Sequence, residues 1–205
     1  MVRMPPFIGS RRLGLWPRLV WSSALGSATA VVLGSLGAAP AIAQKEQTPA
    51  EVKAADLFNF GKFMRHGNGY LRHATFDICI LGRDPLGQAI DNIAAHESID
   101  NLPVRVPRIS DVTGAKTCEI VYITDVEGER LREDMAILLG TDVLTVSDVP
   151  NFLERGGMIQ FVQVANRVRF SVNLTALNRS HLVLSSELLK VAASVTGKTS
   201  SEVLP

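Results

Sequence analysis

Six side chains suit metal, redox or nucleophile-activating chemistry: the histidines His66, His73, His96 and His181 and the cysteines Cys79 and Cys118. Metal sites draw such ligands at short local spacings, as in a His-x-x-x-His pair on one helix face. No pair of histidines has that spacing, and none sits with carboxylates at ligand spacing. Ser180-His181 is an isolated pair, not a nucleophile with an oriented base, and there is no Gly-x-Ser-x-Gly elbow. The histidines therefore read as solvated surface groups, with no metal or cofactor implied. The cysteines form no Cys-x-x-Cys, which leaves a structural disulfide, two buried thiols or a redox switch.

Three other features could bind without reacting. Gly82-Arg83-Asp84-Pro85-Leu86-Gly87 follows an apolar run and opens a helical one, where an open α/β sheet accepts anions or small ligands. Gly82, Asp84 and Gly87 are its candidate ligand residues, although it lacks Gly-x-Gly-x-x-Gly and a P-loop lysine. Arg167 and Arg169 share one face of a strand and are candidate partner contacts, as is Leu177, alone in a polar run. Gly156-Gly157-Met158 reads as a helix stop before a strand.

The choice among the cysteine readings depends on compartment. Arg3, Arg11, Arg12 and Arg18 precede an apolar stretch from Leu19 to Gly37, which leads into Ala-Pro-Ala-Ile-Ala. That is the build of a secretory signal, with Ala41 and Ala43 at the small-residue positions and cleavage between Ala43 and Gln44. A retained membrane anchor is the rival, but five serines and threonines dilute the stretch. Ser10-Arg11-Arg12-Leu13 is similar to a twin-arginine signal, with Gly14 where a large apolar residue is usual, so the export route stays open. In an oxidising compartment outside the cytoplasm an even pair of cysteines is most simply one disulfide. Losing the four arginines turns 21 basic against 20 acidic residues into 17 against 20. Such a mildly acidic domain without basic runs does not read as a nucleic-acid binder.

These residues lie within the 162 that follow the cleavage point, one ordinary domain. A polar leader spans 44–50, the domain 51–198 and a C-terminal tail 199–205. Thr48-Pro49-Ala50-Glu51 is a capping box that starts a helix running to Met64, with Phe60 and Phe63 widening its apolar face. Arg65 to His73 reads as a loop. Phe76 to Leu81 is a strand buried on both faces, followed by a helix with Asp84 as N-cap and Pro85 first, reaching Ala95. Val104 to Ile109 is an edge strand marked by Pro107. Cys118 to Thr124 is a strand, and Thr124 to Glu127 a capping box for a helix with Leu131, Met135, Leu138 and Leu139 inward. Val143 to Val146 is a strand and Val149 to Arg155 a short helix. Met158 to Val164 and Arg167 to Leu174 form a hairpin turning at Ala165-Asn166. A last helix from Ser185 or Ser186 presents Leu188, Leu189, Ala192 and Val195 inward and ends at Gly197. The order argues an α/β fold of three layers: a mostly parallel sheet with helices on both faces and a C-terminal antiparallel hairpin.

Taken together, the segments resemble the YfiR family of periplasmic regulators. The matching stretches, in order, include Glu51-Val52-Lys53-Ala54-Ala55, Phe58-Asn59-Phe60, Lys62-Phe63, Ile78-Cys79-Ile80-Leu81-Gly82, Asp84-Pro85 and Cys118. They continue through Leu144-Thr145-Val146-Ser147-Asp148, Gly156-Gly157-Met158-Ile159, Asn166-Arg167-Val168-Arg169-Phe170, Val172-Asn173-Leu174 and Leu188-Leu189. The resemblance implies a non-enzymatic domain that binds the periplasmic sensor region of a membrane diguanylate cyclase and holds it inactive. It also implies that an outer-membrane lipoprotein can sequester the regulator and that copies can self-associate as a homodimer. Its cysteines coincide with Cys79 and Cys118. Glu119 stands where the family often has histidine, and Met64-Arg65-His66 replaces an aromatic-proline ending of the first helix. The competing class is a periplasmic small-ligand receptor with its pocket at Gly82 to Gly87.

Overall fold

A computed structural model describes residues 46–67, 74–124 and 128–198. Helix α1 (Pro49–Phe63) starts at the capping box: the Glu51 amide donates to Thr48 Oγ1 at 3.2 Å and the Thr48 amide to Glu51 Oε2 at 2.7 Å. It buries Ala54, Leu57, Phe58 and Phe60, whereas Phe63 is exposed because the helix ends there. Met64 already belongs to β1 (Met64–His66), so the expected loop from Arg65 is extended at its start; residues 68–73 lie outside the described residues.

Strand β2 (Phe76–Leu81) is buried throughout. The helix expected to begin at Asp84-Pro85 begins later, as α2 (Gln88–His96). Asp84 folds its carboxylate onto the Leu86 and Gly87 amides at 2.8 and 3.0 Å, and this turn tucks Leu86 into the core before the helix starts. The predicted edge strand is two, β4 (Leu102–Arg105) and β5 (Arg108–Ile109), divided at Pro107. A two-residue strand, β3 (Ser98–Ile99), lies outside β4. A 3₁₀ turn (Val112–Thr117) leads into β6 (Ile120–Ile123) and then α3 (Gly128–Leu138). The capping box proposed there involves residues 125–127, outside the described residues. Leu131, Met135 and Leu138 point inward, but Leu139, just past the last helical turn, is 60% exposed.

After β7 (Leu144–Ser147), the expected helix at Val149 to Arg155 is a run of turns around the fully buried Phe152. Asn151 takes a φ of 59°, which a continuous right-handed helix excludes, while Gly156, at 93°, ends the run as expected. The hairpin of β8 (Ile159–Val164) and β9 (Arg167–Asn173) has the expected register, Val164 opposite Arg167. Its turn residues Ala165 and Asn166 both have positive φ, 47° and 61°, the handedness that matches strand twist. A short α4 (Leu174–Leu177) and β10 (Leu182–Leu184) follow, β10 pairing with β1. The last helix, α5 (Ser186–Val191), is capped by Ser185 but stops early. The chain becomes extended at Ala192, the Ala193 amide donates to Phe170 O, and β11 (Ser194–Thr196) covers the free edge of β9. Val195 is thus exposed on an edge strand and not packed beneath a helix.

The main sheet among the described residues runs β11-β9-β8-β7-β6-β2-β4-β3, with β5 also on β2. Pairs are parallel except β8 with β9 and β3 with β4. Alternation along the strands divides the core in two. Ile78, Ile80, Ile120 and Tyr122 pack with α1 and α2 residues, while Cys79, Leu81, Val121 and Ile123 pack with Leu131, Met135 and Leu138 of α3. Each such buried side chain stabilises the fold by about 1.5–3 kcal/mol. Phe60 fixes α1 over the hairpin, its ring 4.9 Å from Phe170 and 5.8 Å from Phe161. Gly61 permits the approach of α1 to the sheet, since a Cβ there would meet Ile99 and Phe76 at 2.7–2.9 Å.

Candidate functional site

Cys79 on β2 and Cys118, just before β6, are joined by a disulfide with their Cα atoms 6.0 Å apart. Neighbouring parallel strands bring them together: Cys79 lies opposite Val121, three residues after Cys118. Both are buried in the cluster beneath α3 with Val112 and Ala115. The bond thus staples the 3₁₀ turn and β6 to β2.

The Gly82 to Gly87 turn is occupied by the protein itself. Asp84 Oδ1 takes the Leu86 and Gly87 amides, and Oδ2 takes Nε and Nη2 of Arg108 at 2.9 and 2.7 Å. Arg108 also donates to both carboxylate oxygens of Asp91, at 2.7 and 2.9 Å. Burial pushes the Asp84 carboxyl up, but the hydrogen bonds from Arg108 and the two amides outweigh it and hold the group below its ordinary range. Amides that an anion would need are taken, and the nearest cation is neutralised twice. Gly82, at φ 103°, brings the chain against the Thr124 carbonyl.

Arg167 and Arg169 lie on the hairpin, as their spacing requires, but line two adjoining hollows. Arg167 flanks a cavity of about 630 Å³ with residues 46–49 and Val52. Arg169 flanks one of about 430 Å³ with Asp56, Lys190 and Val191, and its Nη2 donates to the Val191 carbonyl at 2.7 Å. Burial pushes the Asp56 carboxyl up to about 6, against the pull of the Arg169 charge. Exposed Val164 and Val191 border this side of the hairpin. Leu177 is not part of it: at 3% exposure it is a core residue and presents no anchor to a partner.

The histidines are dispersed. His181 Nδ1 lies 2.9 Å from Asp142 Oδ1, and His96 Nδ1 lies 2.8 Å from the Asn92 carbonyl. His66 is in β1, and His73 lies outside the described residues. Among the described residues no three His, Cys, Asp or Glu side chains converge as metal ligands.

Sequence reasoning missed two part-buried polar clusters. Lys53 of α1 reaches Asp148, after β7, at 2.5 Å, beside the Tyr122 hydroxyl, which burial and the Asp148 charge hold protonated. Asp77 takes Arg105 Nε and Nη2 at 3.0 and 2.5 Å, while the Asp77 amide donates to the buried Glu119 at 2.6 Å. Asp77 was the one polar residue in its apolar run, and that interruption was the available signal. Glu119 is a buried structural acceptor.

The fold and these sites define a disulfide-stapled α/β domain whose open features are surface hollows. The YfiR/HmsC-like family profile matches residues 50–193, and the chain belongs to that family. It is a regulatory, non-catalytic family of periplasmic proteins that generally partner a diguanylate cyclase sensor domain. No curated protein matches the sequence. Among solved structures, the chain is similar to a conserved domain protein from Vibrio cholerae O1 biovar El Tor str. N16961, with 11% identity and a TM-score of 0.49. That match covers 74% of this chain and 61% of the other, so this chain spans about three fifths of that structure's length. Among the described residues no helix is long and apolar enough to cross a membrane.

Proposed function

We propose that this protein is an exported, non-enzymatic regulator that binds the periplasmic sensor region of a membrane diguanylate cyclase and represses it, lowering cyclic-di-GMP signalling. Family membership across residues 50–193 carries the reading. The buried disulfide supports it, because a domain working outside the cytoplasm keeps such a bond. Repression needs no chemistry. A protein that binds the cyclase better in its inactive arrangement shifts the population by the ratio of its two affinities. The hairpin side bearing Arg167 and Arg169 is the proposed contact, since it joins two cations, exposed valines and open hollows.

The experiment uses the full chain, produced with its own leader, and the periplasmic sensor regions of membrane diguanylate cyclases from the same organism. Direct binding by calorimetry, with a rise in cellular cyclic-di-GMP on deleting the regulator, is the expected result. Arg167→Glu with Arg169→Glu should weaken binding by about tenfold or more, the loss expected for charge-assisted contacts. Absence of binding together with unchanged cyclic-di-GMP on deletion overturns the proposal.

A further inference from the structure

Away from the hairpin turn, the carboxyl end of α3, the 155–158 segment and α4 enclose a cleft of about 220 Å³. Its floor is apolar, with Met135, Leu138, Met158 and Ala176, and Leu139 stands 60% exposed at its edge. Its rim carries Arg132, Arg155 and Arg179, and no acidic residue lines it. Arg132 pairs at 3.0 Å with Glu129 in an exposed contact. Arg155 and Arg179 have no carboxylate partner among the described residues, unlike Arg105 and Arg108.

We infer that this cleft is a second docking surface, and that its occupant is an acidic segment of a protein partner that seats one large apolar side chain on the floor. Charge decides the sign of the occupant: unpaired guanidinium groups favour carboxylates, which they can bind with two parallel hydrogen bonds. Size and shape decide its kind. Small-molecule sites of about 300–1,000 Å³ enclose most of their ligand. This cleft is smaller and open on one side, and the exposed Leu139 extends its apolar surface outward. A side chain fills it, and the flanking polypeptide covers Leu139 and meets the arginines.

Its position makes it independent of the proposed cyclase contact. Met158 precedes β8, and Arg167 lies opposite Val164 at the far end of that strand. Six strand residues separate the two ends by about 20 Å. The domain can therefore hold a partner at each end, and this inference does not rest on the identity of either.

The test is fluorescence anisotropy on the full, exported chain with a labelled, end-blocked pentapeptide, a central phenylalanine flanked by two aspartates on each side. Saturable binding is expected, weakened about tenfold or more by Arg155→Glu with Arg179→Glu and also by Leu139→Asn. Arg155→Gln with Arg179→Gln is the milder pair, and unchanged thermal unfolding shows that each variant is folded. A lysine-flanked peptide should not bind, and a central glycine should weaken binding. The inference is overturned by no saturation up to about 2 mM, by undiminished binding to the charge-reversed variant, or by equal binding of the glycine peptide. Octanoate binding more tightly than the peptide and displacing it would make this a small-amphiphile site and overturn it too. Cyclase repression is not read in this assay, so its outcome stands apart from that of the proposed function.

Discussion

Arg108 grips Asp84 through two hydrogen bonds, 2.9 Å from Nε and 2.7 Å from Nη2, and so closes the turn that follows β2 with a side chain from β5. A strand order that sets β5 beside the end of β2 brings the pair together across 24 residues. The same guanidinium reaches Asp91, which ties the turn to α2. Arg108→Ala should therefore cost about 1 kcal/mol at low ionic strength, less in salt, because the arginine is partly solvated. The Asp84 carboxyl is held low, so its contribution is present above the unfolded carboxylate range and is lost as pH falls through the lower folded value. Urea unfolding at neutral pH should separate variant from wild type, and the two should converge in strong acid.

Gly82 offers a sharper test of the same turn. At φ 103° an L side chain is strained, and a Cβ would run into the Thr124 carbonyl, which is backbone and cannot step aside. Gly82→Ala should lose at least about 1–3 kcal/mol, read as a lower thermal midpoint. Gly87→Ala also has positive φ but meets nothing within 4 Å, so it should lose less.

Much of this architecture could be read from the chain because it rests on local rules. The capping box at Thr48, the doubly buried β2 and the Ala165-Asn166 hairpin depend on neighbouring residues and emerged as expected. The errors came where distant contacts override local preference. Asp84 carries a helix N-cap signature, but Arg108 recruits it for a turn. The segment 149–155 has helical composition, but burying Phe152 bends it into turns. The end of α5 reads as helix until the open edge of β9 takes it as a strand. The arginine-rimmed cleft could not be seen at all, since Arg132, Arg155 and Arg179 come from three segments that the fold alone assembles.

Asp56 supplies a pH signature on the other side of the molecule. Its folded pKa is about 6 against an ordinary 3.8, raised by burial over the opposing Arg169 charge. The folded state thus keeps a proton that the unfolded chain releases near pH 4. Its stabilising contribution is full below that point and is lost as pH rises to about 6. Asp56→Asn should raise the melting temperature at pH 7 and change it little at pH 4. A variant less stable than wild type at pH 7 would contradict this sign.

Export gives a prediction of mass. The chain recovered from the periplasm should begin at Gln44, with the four arginines of residues 1–43 gone. Intact-mass spectrometry checks it directly, and a recovered protein that still carries those residues would refute cleavage at Ala43.

The disulfide links stability to the proposed regulation. It closes a loop of 39 residues, for which loop entropy gives about 4 kcal/mol, so Cys79→Ser with Cys118→Ser should shift the urea midpoint strongly downward. Both sulfurs are buried in the α3 cluster, so reductant must wait for the domain to open. Wild type should resist reductant under native conditions and fall onto the variant curve only when reduced in denaturant. The bond also pins β6 to β2, strands that supply both halves of the core. Losing it should loosen the whole surface offered to the cyclase and so lower repression. Cyclic-di-GMP measured at matched periplasmic abundance decides this: if the double variant represses as well as wild type, the bond sets stability and does not govern repression.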